Sequence, residues 1–302
     1  MTAAIPDATP VLVAVAIPDR LRRASGRERR AMVDHGMRAL TLVSTVVAII
    51  PLVAVLVFVT LNGIAALNID LLTKPPKALG VGGGAVTAIT GSIQMVGLAT
   101  LIAVPIGLAA GIYVSELAGQ RMGSIVRFAA DVLVGIPSIL VGVFVFTFLV
   151  LPFKQYNAFA GSVALAVIMV PVIMRTTEEI LKLVPGDLRE ASLALGVRRW
   201  RTTLSIAVRV GWPGILTGIM LAVARAAGET APLLMTALGS RLLNIGDFSR
   251  PMGALPLFIY ENARQPYPAL NAQAWGAAFL LLLAVLTINI LVRARTLFGS
   301  AR

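Results

Sequence analysis

Six apolar runs of about 20 residues each dominate this chain, at about 39–60, 93–115, 128–150, 161–181, 215–238 and 272–292. A helix of that length matches the hydrocarbon core of a bilayer. Lipid offers the backbone no hydrogen-bond partner, so separate spanning segments must be helical. Composition agrees, with 58% hydrophobic and only 13% charged residues, against about 25% charged in soluble domains. The pattern predicts an all-α membrane protein with six transmembrane helices. The chain has no cysteine, which excludes disulfides and thiolate metal sites.

The net charge of +12 admits a nucleic-acid reading, but its distribution points to topology. With both termini placed in the cytoplasm, the inside segments hold 18 of the 26 Lys and Arg residues and the outside loops hold 6. Arg175 and Arg225 remain within spans. That bias follows the positive-inside rule. Residues 1–38 form a basic cytoplasmic segment with Arg20, Arg22, Arg23, Arg27, Arg29, Arg30 and Arg38, suited to lipid headgroups. Its apolar stretch Val11 to Ile17 is too short to span and lacks basic residues before it, so it is not read as a signal peptide. Residues 39–295 form the transmembrane domain, with a cytoplasmic loop at 186–212, and 296–302 form a cytoplasmic tail. The lone His35 is read as solvated. The glycine run at 80–84 lacks a following Gly-Lys-Ser/Thr and is not a phosphate-cradling loop. Pro51 predicts a kink and Pro137 a kink or break. Gly107 and Gly111 form a GxxxG pair that lets another helix approach.

The loop at 186–212 and the fifth span carry the most chemistry. Asp187 is placed to cap a short helix, with Glu190 reaching back to the cap. Gly196 suits the left-handed position that closes it. Trp200, Leu204 and Val208 then recur at helical spacing, and Pro213-Gly214 is expected to break or redirect the chain. In the fifth span Arg225 and Glu229 stand four residues apart. Charges at membrane depth cost about 2.5–3.5 kcal/mol or more, so they persist beside a partner or a cavity. Mutual neutralisation is one reading of this pair. Passage of an oxyanion is the other, because a guanidinium fork matches an oxyanion edge. Arg175 is either a second such arginine or a snorkelling one. Ser138, Thr176, Thr177 and Thr230 offer hydroxyls as secondary contacts.

Glu190-Ala191-Ser192, then Gly196, then Pro213-Gly214, resemble the EAA loop of ABC-transporter permeases, although Val208-Arg209 stands where that family usually has Leu-Pro. Together with LVGIPSILVGVF, PVIMRTTEE and ARAAGETAPLL, the loop is similar to the PstA family of permeases from phosphate-specific (Pst) ABC transporters over about 90–295. The resemblance implies a MetI-like ABC importer permease fold in a bacterial cytoplasmic membrane. It implies that Asp187, Glu190, Ala191, Ser192 and Gly196 couple to an ATPase. It also implies that Arg175 and Arg225 match arginines associated with phosphate passage. The implied partners are a PstC-like second permease, a PstB-like ATP-binding dimer, a PstS-like external binding protein and membrane lipid, with no nucleic acid. ATP and magnesium belong to the partner ATPase; this chain is expected to bind no cofactor or metal and to be no enzyme. Sulfate or molybdate as the cargo, and a proton-coupled secondary transporter using Glu229, stay open as alternatives. An intramembrane enzyme is disfavoured, since no HExxH and no paired aspartates occur in the spans.

Overall fold

In the computed structural model, which describes residues 24–77 and 83–299, the regular elements are helices; among the described residues β pairing is limited to two isolated bridges, Pro76 with Gly83 and Leu238 with Met252. The stretch Val11 to Ile17, Arg20, Arg22, Arg23, residues 80–82 of the glycine run and residues 300–302 lie outside the described residues, as do the side chains of Arg27, Arg29, Arg30, Arg293 and Arg295.

The helices are α1 (Ala24–Ala66), α2 (Ile69–Thr73), α3 (Val86–Ile112), α4 (Gln120–Gly135), α5 (Ser138–Val145) and α6 (Ala158–Leu183), then α7 (Gly186–Ala194), α8 (Arg199–Thr202), α9 (Val208–Ala227), α10 (Ala231–Thr236), α11 (Leu255–Ala263) and α12 (Pro268–Gly299). Single π-helical turns at Tyr113–Leu117, Phe146–Val150 and Thr203–Ala207 extend α3, extend α5 and join α8 to α9. Such widened turns recur at functional positions. Among the described residues, five helical stretches are long and apolar enough to cross a membrane: Met32–Ala66, Val86–Leu117, Ala158–Leu183, Arg199–Ala227 and Pro268–Ile290. A sixth is a pair, Gln120–Gly135 and Ser138–Val150, bent by 101°. The break falls where expected, at Ile136 and Pro137, whose backbones are extended.

The chain divides into two compact units, residues 1–57 and 58–302. In the first, α1 continues helically through Pro51, and Arg38 pairs with Asp34 at 2.8 Å.

In the second, α3 and α6 form the centre. Association within lipid cannot rely on water exclusion, so close packing of small residues carries it. The GxxxG pair does this: a Cβ at Gly107 would lie 2.8 Å from Ile173 Cβ, and one at Gly111 would lie 2.7 Å from the Met174 carbonyl oxygen. Met95, Leu165, Met169, Ile173 and Ile215 are fully buried around this contact. Helix α9 lies against α6 in the same way, with Gly218 against Thr176 and Gly214 against Ile180. Gly142 of α5 abuts Pro232 of α10.

Two expectations are corrected. Pro213 does not break the chain, since helix runs continuously from Arg199 to Ala227. One missing N–H, the one that would have met the Arg209 carbonyl, is tolerated within a continuing membrane helix; the Thr217 hydroxyl donates to the Pro213 carbonyl at 2.9 Å. The fifth span instead ends at Ala227, and Gly228 to Thr230 separate it from the short α10. The polar segments after the first and fifth spans also contain α2 and α11, which are too short to leave a clear periodicity in sequence.

Candidate functional site

Three features are built along α6 and its neighbours. The first is α7. Pro185, not Asp187, stands at its N-cap; Asp187 lies in the first turn, where its charge suits the helix dipole. No side-chain cap bond forms there, so the capping box expected from Asp187 and Glu190 is absent. Gly196 takes φ +77°, the left-handed closing conformation expected of it. Ser192 is buried and its hydroxyl shares a 2.9 Å hydrogen bond with that of Thr202, which fixes α7 against α8. Glu190, Ala191, Leu188 and Leu193 are exposed.

Arg189, on the inner side of α7, holds the helix in place. It donates to both oxygens of Glu116 in the π turn after α3, and to the carbonyls of Leu181 and Val184 at the end of α6. The exposed face of α7 is thereby attached to the two central helices.

The second feature is a charge cluster on α6. Glu178 is 0% exposed and takes three cations: Arg127 of α4 at 2.5 Å, Lys182 at 2.6 Å and Arg175 at 3.2 Å. Arg175 also meets Asp131 of α4 at 2.9 Å. Arg175 is therefore not a free snorkelling residue; it joins α6 to the first leg of the bent pair. Beside the cluster, the buried Thr177 hydroxyl has no hydrogen-bond partner. The Thr176 hydroxyl donates back to the carbonyls of its own helix.

The third is the break after α9. Arg225 sits in the last turn of α9 and Glu229 lies beyond its end, so the two do not share one helix face as the spacing had implied. Arg225 Nε remains 3.7 Å from Glu229 Oε1, with the arginine side chain 48% exposed and the glutamate 16%. This long contact leaves most of the guanidinium donors free. Thr230 stands at the start of α10 and Ser138 at the start of α5, the two short helices that pack at Gly142 and Pro232.

Sequence reasoning missed Glu116, Arg127, Asp131, Glu178, Lys182 and Arg189. Part of the signal was present: Arg175, Glu178 and Lys182 follow helical spacing on an otherwise apolar stretch. The contacts to Glu116, Arg127 and Asp131 are tertiary and leave no local trace.

A membrane bundle with one bent span, and a short helix tied to the ends of two central spans, is an architecture suited to the membrane component of a transporter. Likeness to known proteins fixes the kind. The family model described as "Binding-protein-dependent transport system inner membrane component" matches residues 103–295. The chain is 41% identical over 258 residues to the phosphate transport system permease protein PstA of Haemophilus influenzae, covering 85% of this chain and 91% of that one. It is 43% identical over 210 residues to PstA 1 of Mycobacterium tuberculosis, covering 69% and 68%. Among solved structures, an inward-facing MetNI methionine ABC transporter matches with TM-score 0.56 and 20% identity, over 69% of this chain and 94% of that one, a likeness of fold. The chain belongs to the PstA family of binding-protein-dependent inner-membrane permeases.

Proposed function

We propose that this chain is the permease component of an ATP-driven importer of inorganic phosphate. The observation that carries the reading is its continuous likeness to the Haemophilus influenzae phosphate permease over 85% of its length. ATP is bound with magnesium and hydrolysed on a PstB-like partner, and this chain contributes no catalytic residue. A PstC-like permease completes the membrane path, and a PstS-like protein delivers the anion from outside. Both termini and α7 lie on the cytoplasmic side, as the arginine bias favours.

The exposed face of α7, with Glu190 and Ala191, docks on the ATPase. Closure of the ATPase pushes α7, and Arg189 passes the displacement to the ends of α3 and α6. Arg225 offers the moving anion a guanidinium fork. Glu229, held at 3.7 Å, competes for it and keeps the hold weak enough for release. Arg175 admits an anion only by giving up a carboxylate, so it acts second. Ser138 and Thr230 supply hydroxyls at the starts of two short helices; Thr176, bonded to its own backbone, contributes less.

The test is uptake into proteoliposomes holding the complete transporter. Phosphate uptake that needs ATP and survives an uncoupler supports the reading. Uptake of sulfate or molybdate in preference to phosphate, or uptake abolished by the uncoupler at constant ATP, would overturn it.

A further inference from the structure

Thr87 lies in the first turn of α3, and Glu116 lies just past its other end, so the two are separated by about 40 Å at 1.5 Å per residue. Around Thr87, the first turns of α3 and α12, the loop after α10 and helix α11 enclose a cavity of about 240 Å³. Its polar lining comprises Lys77, Thr87, Ser240, Arg241, Glu261, Asn262 and Gln273. Nothing in the transport path described above uses them.

Four observations give this cavity a ligand. Thr87 is 3% exposed, yet its hydroxyl has no hydrogen-bond partner. A buried polar group left unpaired is costly. Lys77 and Arg241 join no ion pair among the described residues, and Arg241 acts on Glu261 only at longer range, so their hydrogen-bond donors remain available. The N-terminal turns of two long helices, of 27 and 32 residues, border the cavity and present their positive dipole ends. Gly239, at φ +84°, keeps the floor open, since a Cβ there would lie 3.3 Å from Glu261 Oε1. Cations, a hydroxyl and helix N-termini together are the donor set of an anion site.

Glu261 is the one opposing charge, and it sets the selectivity. A carboxylate can only accept hydrogen bonds. Phosphate near neutral pH still carries a P–O–H that donates to it; sulfate carries no proton and is repelled.

We propose that this cavity is a receiving site for a small protonated oxyanion, with Lys77, Arg241 and Thr87 holding the ligand and Glu261 accepting its proton-bearing oxygen. The proposal deepens the importer reading and rests on it. The anion is held here at the mouth before it moves to Arg225.

The test measures equilibrium binding of radiolabelled inorganic phosphate to the complete transporter in nanodiscs, without ATP or the external binding protein. Arg241→Ala is expected to weaken binding about tenfold and Thr87→Val several-fold, as loss of a charge-assisted and a neutral hydrogen bond implies. Lys77 is exposed, so Lys77→Gln preserves the fold and is expected to weaken binding roughly threefold or more. Sulfate in excess should not displace phosphate from wild type and should do so in Glu261→Gln. Unchanged affinity in Lys77→Gln and Thr87→Val, or equal competition by sulfate in wild type, would overturn the site. Failure of the importer reading appears separately, as wild-type transporter that does not accumulate phosphate whatever it binds at rest.

Discussion

Arg189 and Glu116 stand 73 residues apart in sequence, yet the guanidinium meets the carboxylate twice, at 2.6 Å through Nη2 and at 3.3 Å through Nε. The same arginine reaches the Leu181 carbonyl at 2.7 Å and the Val184 carbonyl at 2.6 Å. One side chain thus fastens α7 to the π turn after α3 and to the end of α6. If α7 receives force from an ATPase, this is where the force enters the bundle.

Replacing Arg189 with alanine is therefore expected to uncouple the transporter. ATP hydrolysis by the assembled complex should continue while phosphate uptake falls at least about tenfold. Arg189→Lys keeps a charge but loses the fork, and should recover only part of the uptake. A double-mutant cycle with Glu116→Gln should give a coupling energy of about 0.5–3 kcal/mol in stability. Uptake and hydrolysis that fall in proportion would argue that Arg189 only supports assembly.

Arg225 is expected to behave differently. Arg225→Ala should leave the complex assembled, because the side chain is half exposed and its contact to Glu229 is long. Uptake should drop by two orders of magnitude or so, as loss of a guanidinium that binds the moving ion implies. Glu229→Gln should raise the affinity for phosphate and slow its release, read as a lower KM with a lower maximal rate. An Arg225→Ala transporter with wild-type uptake would remove this residue from the path.

Glu178 is a stability residue by the same geometry. Its buried carboxylate gathers Arg127, Arg175 and Lys182. Removing one member of such a group leaves charge uncompensated, at a cost of about 3–5 kcal/mol when fully buried. The three cations are partly exposed, so Glu178→Ala is expected to lose about half of that, measured as a lower thermal midpoint in detergent. Replacing Arg127 as well should recover part of the loss, since the surplus positive charge is reduced.

How far these features could be read beforehand depends on whether their cause is local. Gly196 was legible because a left-handed closing residue is a one-residue requirement. Gly107 and Gly111 were legible because a helix period places them on one face. The turn at Pro137 was legible as a break, but its 101° angle was not, since its two legs pack on different partners, α4 on α6 and α5 on α10. Pro213 misled for the opposite reason: a local helix-breaking signal gave way to the continuing apolar run and to the close packing of Gly211 and Gly214 on Ile180. Asp187 had the right type for a cap and stood two residues inside the helix. Arg189 and Glu178 were hidden because their meaning lies in Glu116, Arg127 and Asp131, whose spatial approach follows only once α3, α4 and α6 are packed.

The last prediction concerns pH at the cavity around Thr87. Burial pushes the Glu261 carboxyl above its ordinary range, and Arg241 partly opposes the shift. Lys77 from the loop before α3, Tyr260 on the same helix and Arg264 at its C-cap complete the charged and titratable groups around it among the described residues. A raised folded value means that the folded protein binds the proton more tightly than the unfolded chain. Stability from this group is then fully present below the ordinary carboxylate value and is lost as pH rises through the raised folded value. The same titration controls selectivity. As pH falls through the folded value, Glu261 loses its charge and becomes a hydrogen-bond donor, so the repulsion of sulfate disappears. Sulfate, whose own charge is constant over this range, should bind more tightly in acid than at neutral pH. Glu261→Gln should bind it with little pH dependence. The measurement is sulfate binding to the nanodisc-held transporter across that pH window, and an identical slope in wild type and Glu261→Gln would assign the titration to another group.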